Sequence, residues 1–278
     1  MNLYLFNPDA RGGKARKLEA KIKHYLSELG ASGEFRVLTK KGDAIKAAKD
    51  GLKDKVDNIV AIGGDGLISQ ILPALAHQKV NLGIIPTGEN NLLAQILGIK
   101  SWQIGCESLM KPDILEIDLG KIDDRYFTST VEIDTKEAKV RKVLRFFKLR
   151  PKAQHIPTMI NVKSEHSKLK FQSEVSSISI NTVPIRKKMD SQEEINSGVF
   201  HIFIKSKPIK NGKKRRKPDE LTTLQGSQID IDAKTPLYVK VDGEPCGRTP
   251  IKIKIDPQAL RVITLKKEAP TTSEENVA

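Results

Sequence analysis

The sequence predicts an α/β domain built on a parallel sheet, followed by an antiparallel, β-sandwich-like domain. Three observations carry this prediction. Up to about residue 122, short apolar runs alternate with amphipathic helical patterns, the order of a parallel sheet with helices on both faces. Beyond it, strand-like runs follow one another directly with turn residues between them, as in a sandwich. Three of the early runs end in glycine-bearing turns that lead into helical patterns, a strand–loop–helix order. The domains are read as 1–122 and 123–267, with the last segment of the second a candidate to return to the first. The Thr-, Ser- and Glu-rich tail 268–278 reads as disordered.

The first domain reads in order as strand 2–6, helix 15–29, strand 33–38, helix 42–52, strand 57–62, helix 67–78, strand 82–85 and helix 90–97. Leu67, Ile68, Ile71, Leu72 and Leu75 recur at the spacing of one buried helix face. Asn90 is a candidate N-cap for the helix carrying Leu92, Leu93 and Ile96. In the second domain, 177–182, 199–205, 228–231, 237–241 and 251–255 read as antiparallel strands.

The glycine turns carry the chemistry. Ile59–Ile62 stops at Gly63-Gly64-Asp65-Gly66, and a helix pattern follows. Such a turn offers backbone N–H groups and the positive end of a helix dipole to an anion, and glycines let a phosphate approach the backbone. Asp65 adds a carboxylate suited to a Mg²⁺ ion carried by a nucleotide. The same sequence also serves a plain strand–helix connection that binds nothing. Leu82–Ile85 followed by Pro86-Thr87-Gly88, and Leu3–Phe6 followed by Asn7-Pro8-Asp9-Ala10-Arg11-Gly12-Gly13-Lys14, repeat the arrangement. In an open parallel sheet such loops converge beyond the carboxyl ends of the strands, so three of them together favour a phosphate site.

Composition narrows the classes. With 278 residues, 38% hydrophobic and 29% charged, the chain can fold as two globular domains. No window approaches the roughly 18 apolar residues of a membrane span, and no signal peptide is read at the start. Cys106 and Cys246 are too few for a disulfide framework or a zinc site, so a cytoplasmic location is expected. The net charge of +14 points to polyanionic partners. Lys210–Lys217 is a basic run, and Arg145, Lys148, Arg150 and Lys152 surround Phe146 and Phe147. These read either as solvated loops or as contacts to anionic lipid head groups, hence peripheral membrane association. RNA-recognition aromatics, a helix-turn-helix signature and zinc-finger spacing are absent, so no specific nucleic acid is expected. A homodimer stays open.

The motifs together resemble the diacylglycerol kinase catalytic-domain family, soluble lipid kinases that include the bacterial diacylglycerol kinases and sphingosine kinases. The resemblance rests on Asn7-Pro8 with Gly12, Thr39 with Gly42-Asp43-Ala44, Gly63-Gly64-Asp65-Gly66, Pro86-Thr87-Gly88-Glu89-Asn90-Asn91, and Asp242-Gly243-Glu244, in order along nearly the whole chain. It implies an ATP-dependent lipid kinase that phosphorylates a hydroxyl of diacylglycerol or a related lipid, with ATP on one wall of an interdomain cleft and the lipid head on the other. Asn7, Pro8, Gly12, Lys14, Thr39, Gly63, Gly64, Asp65, Gly66, Gly88 and Asn90 would then bind the nucleotide, Asp65 would hold Mg²⁺, and Glu244 would be the general base. From its local sequence alone, Asp242-Gly243 after the strand Tyr238–Val241 is a hairpin turn.

The departures from the family pattern are specific. Leu67 and Glu89 stand where the family has threonines, and Asn196-Ser197-Gly198 stands where it has Asp-Asp-Gly, linked there to a structural Mg²⁺. The stretch 126–134 does not reproduce the family's Asn-rich strand. Two alternatives therefore accompany the lipid kinase: a degenerate member that binds nucleotide or lipid with little transfer, and a kinase of a soluble substrate. The NAD kinases carry a comparable Gly-Gly-Asp-Gly motif, but the later Pro-x-Gly-x-x-Asn turn fits the lipid kinases better.

Overall fold

A computed structural model of the chain describes residues 1–40, 42–135, 155–182, 196–207 and 219–265. The basic runs Arg141–Lys152 and Lys210–Lys217 and the tail from Glu268 lie outside the described residues. The chain divides into two compact units. One comprises Met1–Leu115 with the residues from Arg261 onward, and the other Glu116–Leu260.

The first unit follows the expected order, β1 (Asn2–Phe6), a 3₁₀ turn (Lys14–Leu18), α1 (Glu19–Glu28), β2 (Gly33–Val37), α2 (Asp43–Lys53), β3 (Asn58–Gly63), α3 (Asp65–Leu75), β4 (Asn81–Pro86) and α4 (Leu92–Ile96), and adds α5 (Trp102–Glu107), which the sequence reading did not anticipate. All the strands run parallel, in the order β4-β3-β1-β2. Alternate residues face opposite sides of a strand. Tyr4, Phe6, Val60 and Ile62 pack with Ile22 and Leu26 of α1 and Cys106 of α5. Leu3 and Ile59, fully buried on the other face, lie against Gly51 of α2. Each such Leu, Ile or Phe contributes about 1.5–3 kcal/mol on burial, before the entropy of ordering the chain. The thiol of Cys106 is pushed up to about 12 by burial, so it behaves as a small apolar side chain.

The boundaries of two helices differ from the sequence reading. The pattern at 15–29 splits into a 3₁₀ turn and an α-helix. α3 starts at Asp65, not residue 67, because Gly64 takes the extended N-cap conformation and admits Asp65 and Gly66 to the first turn. Pro73 lies inside the helix, which runs on to Leu75, three residues short of the expected end.

A polar ladder runs along the amino ends of these strands. Asn58 Nδ2 donates to Asn2 Oδ1 at 2.8 Å, and Asn81 Nδ2 to Asn58 Oδ1 at 2.9 Å. Arg261 Nε donates to Asn81 Oδ1 at 3.0 Å, where the C-terminal residues join parallel to β4 with Val262 opposite Leu82. The ladder fixes the register at the edge opposite the glycine loops.

The second unit is antiparallel. Its strands are β5 (Pro112–Ile122), β6 (Arg125–Phe127), β7 (Thr130–Asp134), β8 (Ile156–Lys163), β9 (Lys168–Asn181), β10 (Phe200–Ser206), β11 (Glu220–Gly226), β12 (Gln228–Ala233), β13 (Tyr238–Val241), β14 (Glu244–Arg248) and β15 (Ile251–Leu265), of which β5 and β15 continue into the first unit. To the path β14-β13-β7-β9-β8-β12-β15, β10 adds on β9 and β11 on β10. β9 is long enough to pair with β8 along its first half and with β7 along its second. Ile133, Ile160, Ile178, Ile202, Ile229 and Val239 belong to one apolar core, with the Phe127 and Phe200 rings stacked at 6.1 Å. The sandwich-like architecture expected from the sequence is present. The strands β5 to β8, β11 and β14 were not anticipated: β11, for example, is exposed over most of its length and lacks the apolar alternation that marks a half-buried strand.

Asn58 joins two neighbours, so Asn58→Ala leaves Asn2 and Asn81 each short of a partner. We expect a loss of about 1–3 kcal/mol in stability, measured by chemical denaturation. An unchanged midpoint and slope would show the ladder to be incidental.

Candidate functional site

Because the strands of the first unit are parallel, their carboxyl ends share one edge, and every predicted nucleotide-binding residue lies along it. Across the sheet the order is the Thr39 loop after β2, the Asn7 loop after β1, the Gly63–Gly66 turn after β3 and the Gly88 turn after β4. Neighbouring strands are about 4.8 Å apart, so the row spans roughly 14 Å. β1 connects onward to β2 on one side, while β3 connects to β4 on the other. The strand order therefore reverses between Asn7 and Gly63, the position where open α/β sheets hold their ligands.

The loops are joined by backbone hydrogen bonds. Asn7 N donates to Ile62 O at 2.9 Å and Leu38 N to Phe6 O at 2.8 Å. Gly63 O accepts from Thr87 N at 2.9 Å and from Gly88 N at 3.2 Å. Gly64 and Gly88 approach so closely that a Cβ on Gly88 would lie 2.4 Å from Gly64 Cα and 2.6 Å from Asn91 Oδ1. Both glycines are required here by close approach. Asp65 is the first residue of α3, and its Oδ1 accepts from Leu93 N at 3.4 Å. The Thr87 hydroxyl is buried and has no hydrogen-bond partner among the described residues.

The N-cap of α4 is Asn91, not Asn90 as expected. Asn91 adopts a left-handed φ of 50°, and its side chain closes on Gly88, accepting from its N–H and donating to its carbonyl at 2.9 Å each. The side chain thus braces the glycine turn instead of capping the helix. Asn90 is exposed, as is Glu89. Leu67 is 2% exposed and packs on Gly63, so the threonine-to-leucine departure places an apolar side chain in the core.

The Asn7 loop is shaped by Arg11, Gly12 and Gly13, which all have positive φ. Asn7 Oδ1 accepts from Asp9 N at 3.1 Å, Pro8 is buried, and Lys14 is exposed at the start of the 3₁₀ turn. Thr39 is held by a residue that the sequence reading did not single out as a site residue. Asp43 Oδ2 accepts from the N–H groups of Thr39 and Lys40 at 3.0 and 2.8 Å and from the Thr39 hydroxyl at 3.2 Å. The backbone N–H of Thr39 is the main cause holding the Asp43 carboxyl below its usual range, followed by that of Lys40.

In the second unit, the Asp242-Gly243-Glu244 turn joins β13 to β14. Its aspartate collects five donors. Asp242 accepts from the backbone N–H groups of Thr128, Ser129 and Thr130 at 3.0 Å each, and from the Ser129 and Thr128 hydroxyls at 2.7 and 3.4 Å. Thr182 Oγ1 donates to Thr128 O at 2.6 Å, holding the same loop from β9's end. Local sequence read Asp242 as a hairpin residue and the resemblance as part of the Asp-Gly-Glu motif; its bracing role was not legible, because its partners come from residues far away in sequence. Glu244 is partly exposed, with Arg125 Nη2 3.4 Å from its Oε2. Gly198 N donates to the buried Asp118 carboxylate at 2.9 Å, and Gln258 N donates to its other oxygen at 3.0 Å. Asp118 thus anchors the Asn196-Ser197-Gly198 turn.

Comparisons with known proteins agree with this geometry. Residues 2–122 match the family model of the diacylglycerol kinase catalytic domain. Residues 201–264 match the YegS C-terminal NAD kinase beta sandwich-like domain. A provisionally named lipid kinase of Streptococcus pneumoniae serotype 4 is 24% identical over 96% of this chain and 98% of its own. The diacylglycerol kinase of Bacillus subtilis strain 168 is 25% identical over 73% of each chain. The crystal structure of a provisionally named diacylglycerol kinase from Bacillus anthracis str. Sterne superposes with a TM-score of 0.74, at 19% identity, over 95% of this chain and 96% of that one. The fold and the motifs thus define a kinase of the kind that joins an α/β unit to an antiparallel one. Residues 2–122 form a diacylglycerol kinase catalytic-type domain, and residues 201–264 match the C-terminal domain model.

The residues fit a nucleotide phosphate in chemical terms. Backbone N–H groups at the head of α3, a glycine pair without Cβ atoms and an unpartnered buried hydroxyl line one edge. Among the described residues no group of three or more His, Cys, Asp or Glu could hold a metal ion. A Mg²⁺ arriving with ATP needs only one or two carboxylates beside phosphates and water, and Asp65 meets that need.

Gly88→Ala forces a Cβ against backbone. Overpacking of this kind costs about 1–3 kcal/mol. We expect a lower melting temperature and a loss of Mg·ATP affinity together, read by thermal denaturation and calorimetry. Full affinity in the variant would place the nucleotide elsewhere.

Proposed function

We propose that the chain is an ATP-dependent lipid kinase that phosphorylates a hydroxyl of diacylglycerol or a related lipid. The observation that carries the reading is the row of glycine-bearing loops on one sheet edge of the first unit, in a family whose named relatives are diacylglycerol kinases. When bound, Mg·ATP supplies the γ-phosphoryl group and a cation that spreads its charge. In this reading the amides at Gly64–Gly66 bind phosphate oxygens, Gly88 lets the phosphate approach the backbone, Lys14 neutralises phosphate charge, Asp65 holds the metal, and the Asn7 and Thr39 loops border the nucleotide. Phosphoryl transfer depends mostly on positioning and charge stabilisation, with a carboxylate to align the nucleophile.

Glu244 is the proposed general base. Its carboxylate takes the proton of the acceptor hydroxyl as that oxygen bonds to phosphorus, and ADP carries away the electrons of the broken bond. Five donors hold Asp242, so the turn that carries Glu244 has little freedom. The proposal includes peripheral membrane association, supported by the basic runs in the sequence. No helix among the described residues is long and apolar enough to cross a membrane. A second reading, a member that binds nucleotide or lipid with little transfer, draws on Leu67, whose side chain offers no hydroxyl to a phosphate.

Glu244→Gln keeps the shape and removes the charge. With radiolabelled ATP and a panel of lipid and soluble acceptors, we expect turnover to fall by about 10²–10⁴-fold, with Mg·ATP affinity and melting temperature intact. Wild-type turnover in the variant would reject Glu244 as the base. A wild type that phosphorylates nothing in the panel would favour the binding reading.

A further inference from the structure

The carboxyl end of β9 carries a polar group that no described residue satisfies. Asn181 is 6% exposed. Its Oδ1 accepts from Ser179 Oγ at 3.4 Å, and its Nδ2 has no partner among the described residues. Turning the amide over exchanges the two ends and still leaves one of them unpaired. A buried polar atom without a partner disfavours the fold that contains it, and an apolar side chain of the same shape would not. Such a group is understandable where its partner is a ligand.

Its place in the sheet says which ligand. Asn181 lies opposite Thr130 of β7 on one side and His201 of β10 on the other, and His201 lies opposite Gln225 of β11. Asp242 N donates to Thr130 O at 2.8 Å, so the row Gln225–His201–Asn181–Thr130 ends at the Asp-Gly-Glu turn. The next row, Leu224–Ile202–Ile180–Val131–Val241, is apolar and faces the core. Asn181 and Asp242 are two strand spacings apart, about 10 Å between backbones. Thr130 of β7 lies between them, and a glycerol-sized head group lying over that strand would reach from one to the other.

The geometry points to Asn181 as a binding residue for the acceptor, its amide donating to an oxygen of the hydroxyl-bearing head group presented to Glu244. The inference rests on the kinase reading above and deepens it: the acceptor carries a second oxygen beside the one that is phosphorylated, as a glycerol ester does.

Asn181→Leu tests this in the full chain with dispersed dioctanoylglycerol as acceptor. Loss of one hydrogen bond corresponds to about a tenfold rise in KM for the acceptor, with Mg·ATP affinity unchanged. The melting temperature should hold or rise, because an unpaired polar group has been removed from the interior. A fall in melting temperature would show that the amide is paired within the fold, and an unchanged KM would show that it does not touch the acceptor; either overturns the inference. The wild-type side-chain amide cross-peak of Asn181, assigned by its absence in the variant, gives a readout that needs no turnover. It should shift on titration with dioctanoylglycerol, and a stationary peak overturns the inference. A shift in a wild type that shows no turnover sustains Asn181 as a binding residue while rejecting the kinase reading.

Discussion

Gly64 and Gly88 come so close that neither can carry a Cβ, and the rest of the site depends on that contact. It brings the end of β3 and the end of β4 to one spot, where Gly63 O takes two N–H groups from the neighbouring loop. Asn91 braces the contact from the far side, at the expense of a left-handed backbone and an uncapped α4. The head of α3 then begins at Asp65, directly beside that contact. The physical basis of an anion site is of this kind: backbone donors fixed in place by the fold, beside glycines that carry no Cβ.

The second unit uses the same device with a carboxylate in place of glycines. Asp242 gathers the backbone of Thr128–Thr130 and fixes the turn that begins β14. Asp118 does the same for the turn at Gly198. Charged groups that accept several backbone N–H bonds make turns rigid at little cost, because each bond to a charge is stronger than a neutral one. The Asp-Asp-Gly of the family reads Asn196-Ser197-Gly198 here, and the turn is tied instead through its glycine N–H to Asp118.

What the sequence made legible, and what it did not, follows from the range of the interactions. The strand–loop–helix units of the first domain are local patterns, and so β1 through α3 could be placed from spacing and composition. Asn90 was expected to cap α4 because asparagine favours that position, but the tertiary demand of the Gly64–Gly88 contact gave the neighbouring Asn91 the N-cap position and turned its side chain to the loop. The structural roles of Asp118 and Asp242 could not be read locally, since partners such as Thr128 and Gln258 are distant in sequence. The exposed strand β11 and the short β6 escaped notice for want of apolar alternation. Asn181 had no local pattern at all: its meaning comes only from the strands on either side.

The account's central claim is that the carboxyl edge of the first unit's sheet binds Mg·ATP. Titration of the ¹⁵N-labelled protein with Mg·ATP, followed by amide chemical shifts, tests it most directly. The account predicts saturable shifts at Gly64, Gly66 and Gly88, with neighbours in the Asn7 loop, and their loss in a folded Asp65→Ala variant. Shifts absent at saturating Mg·ATP, confined to other surfaces, or undiminished in Asp65→Ala would contradict it.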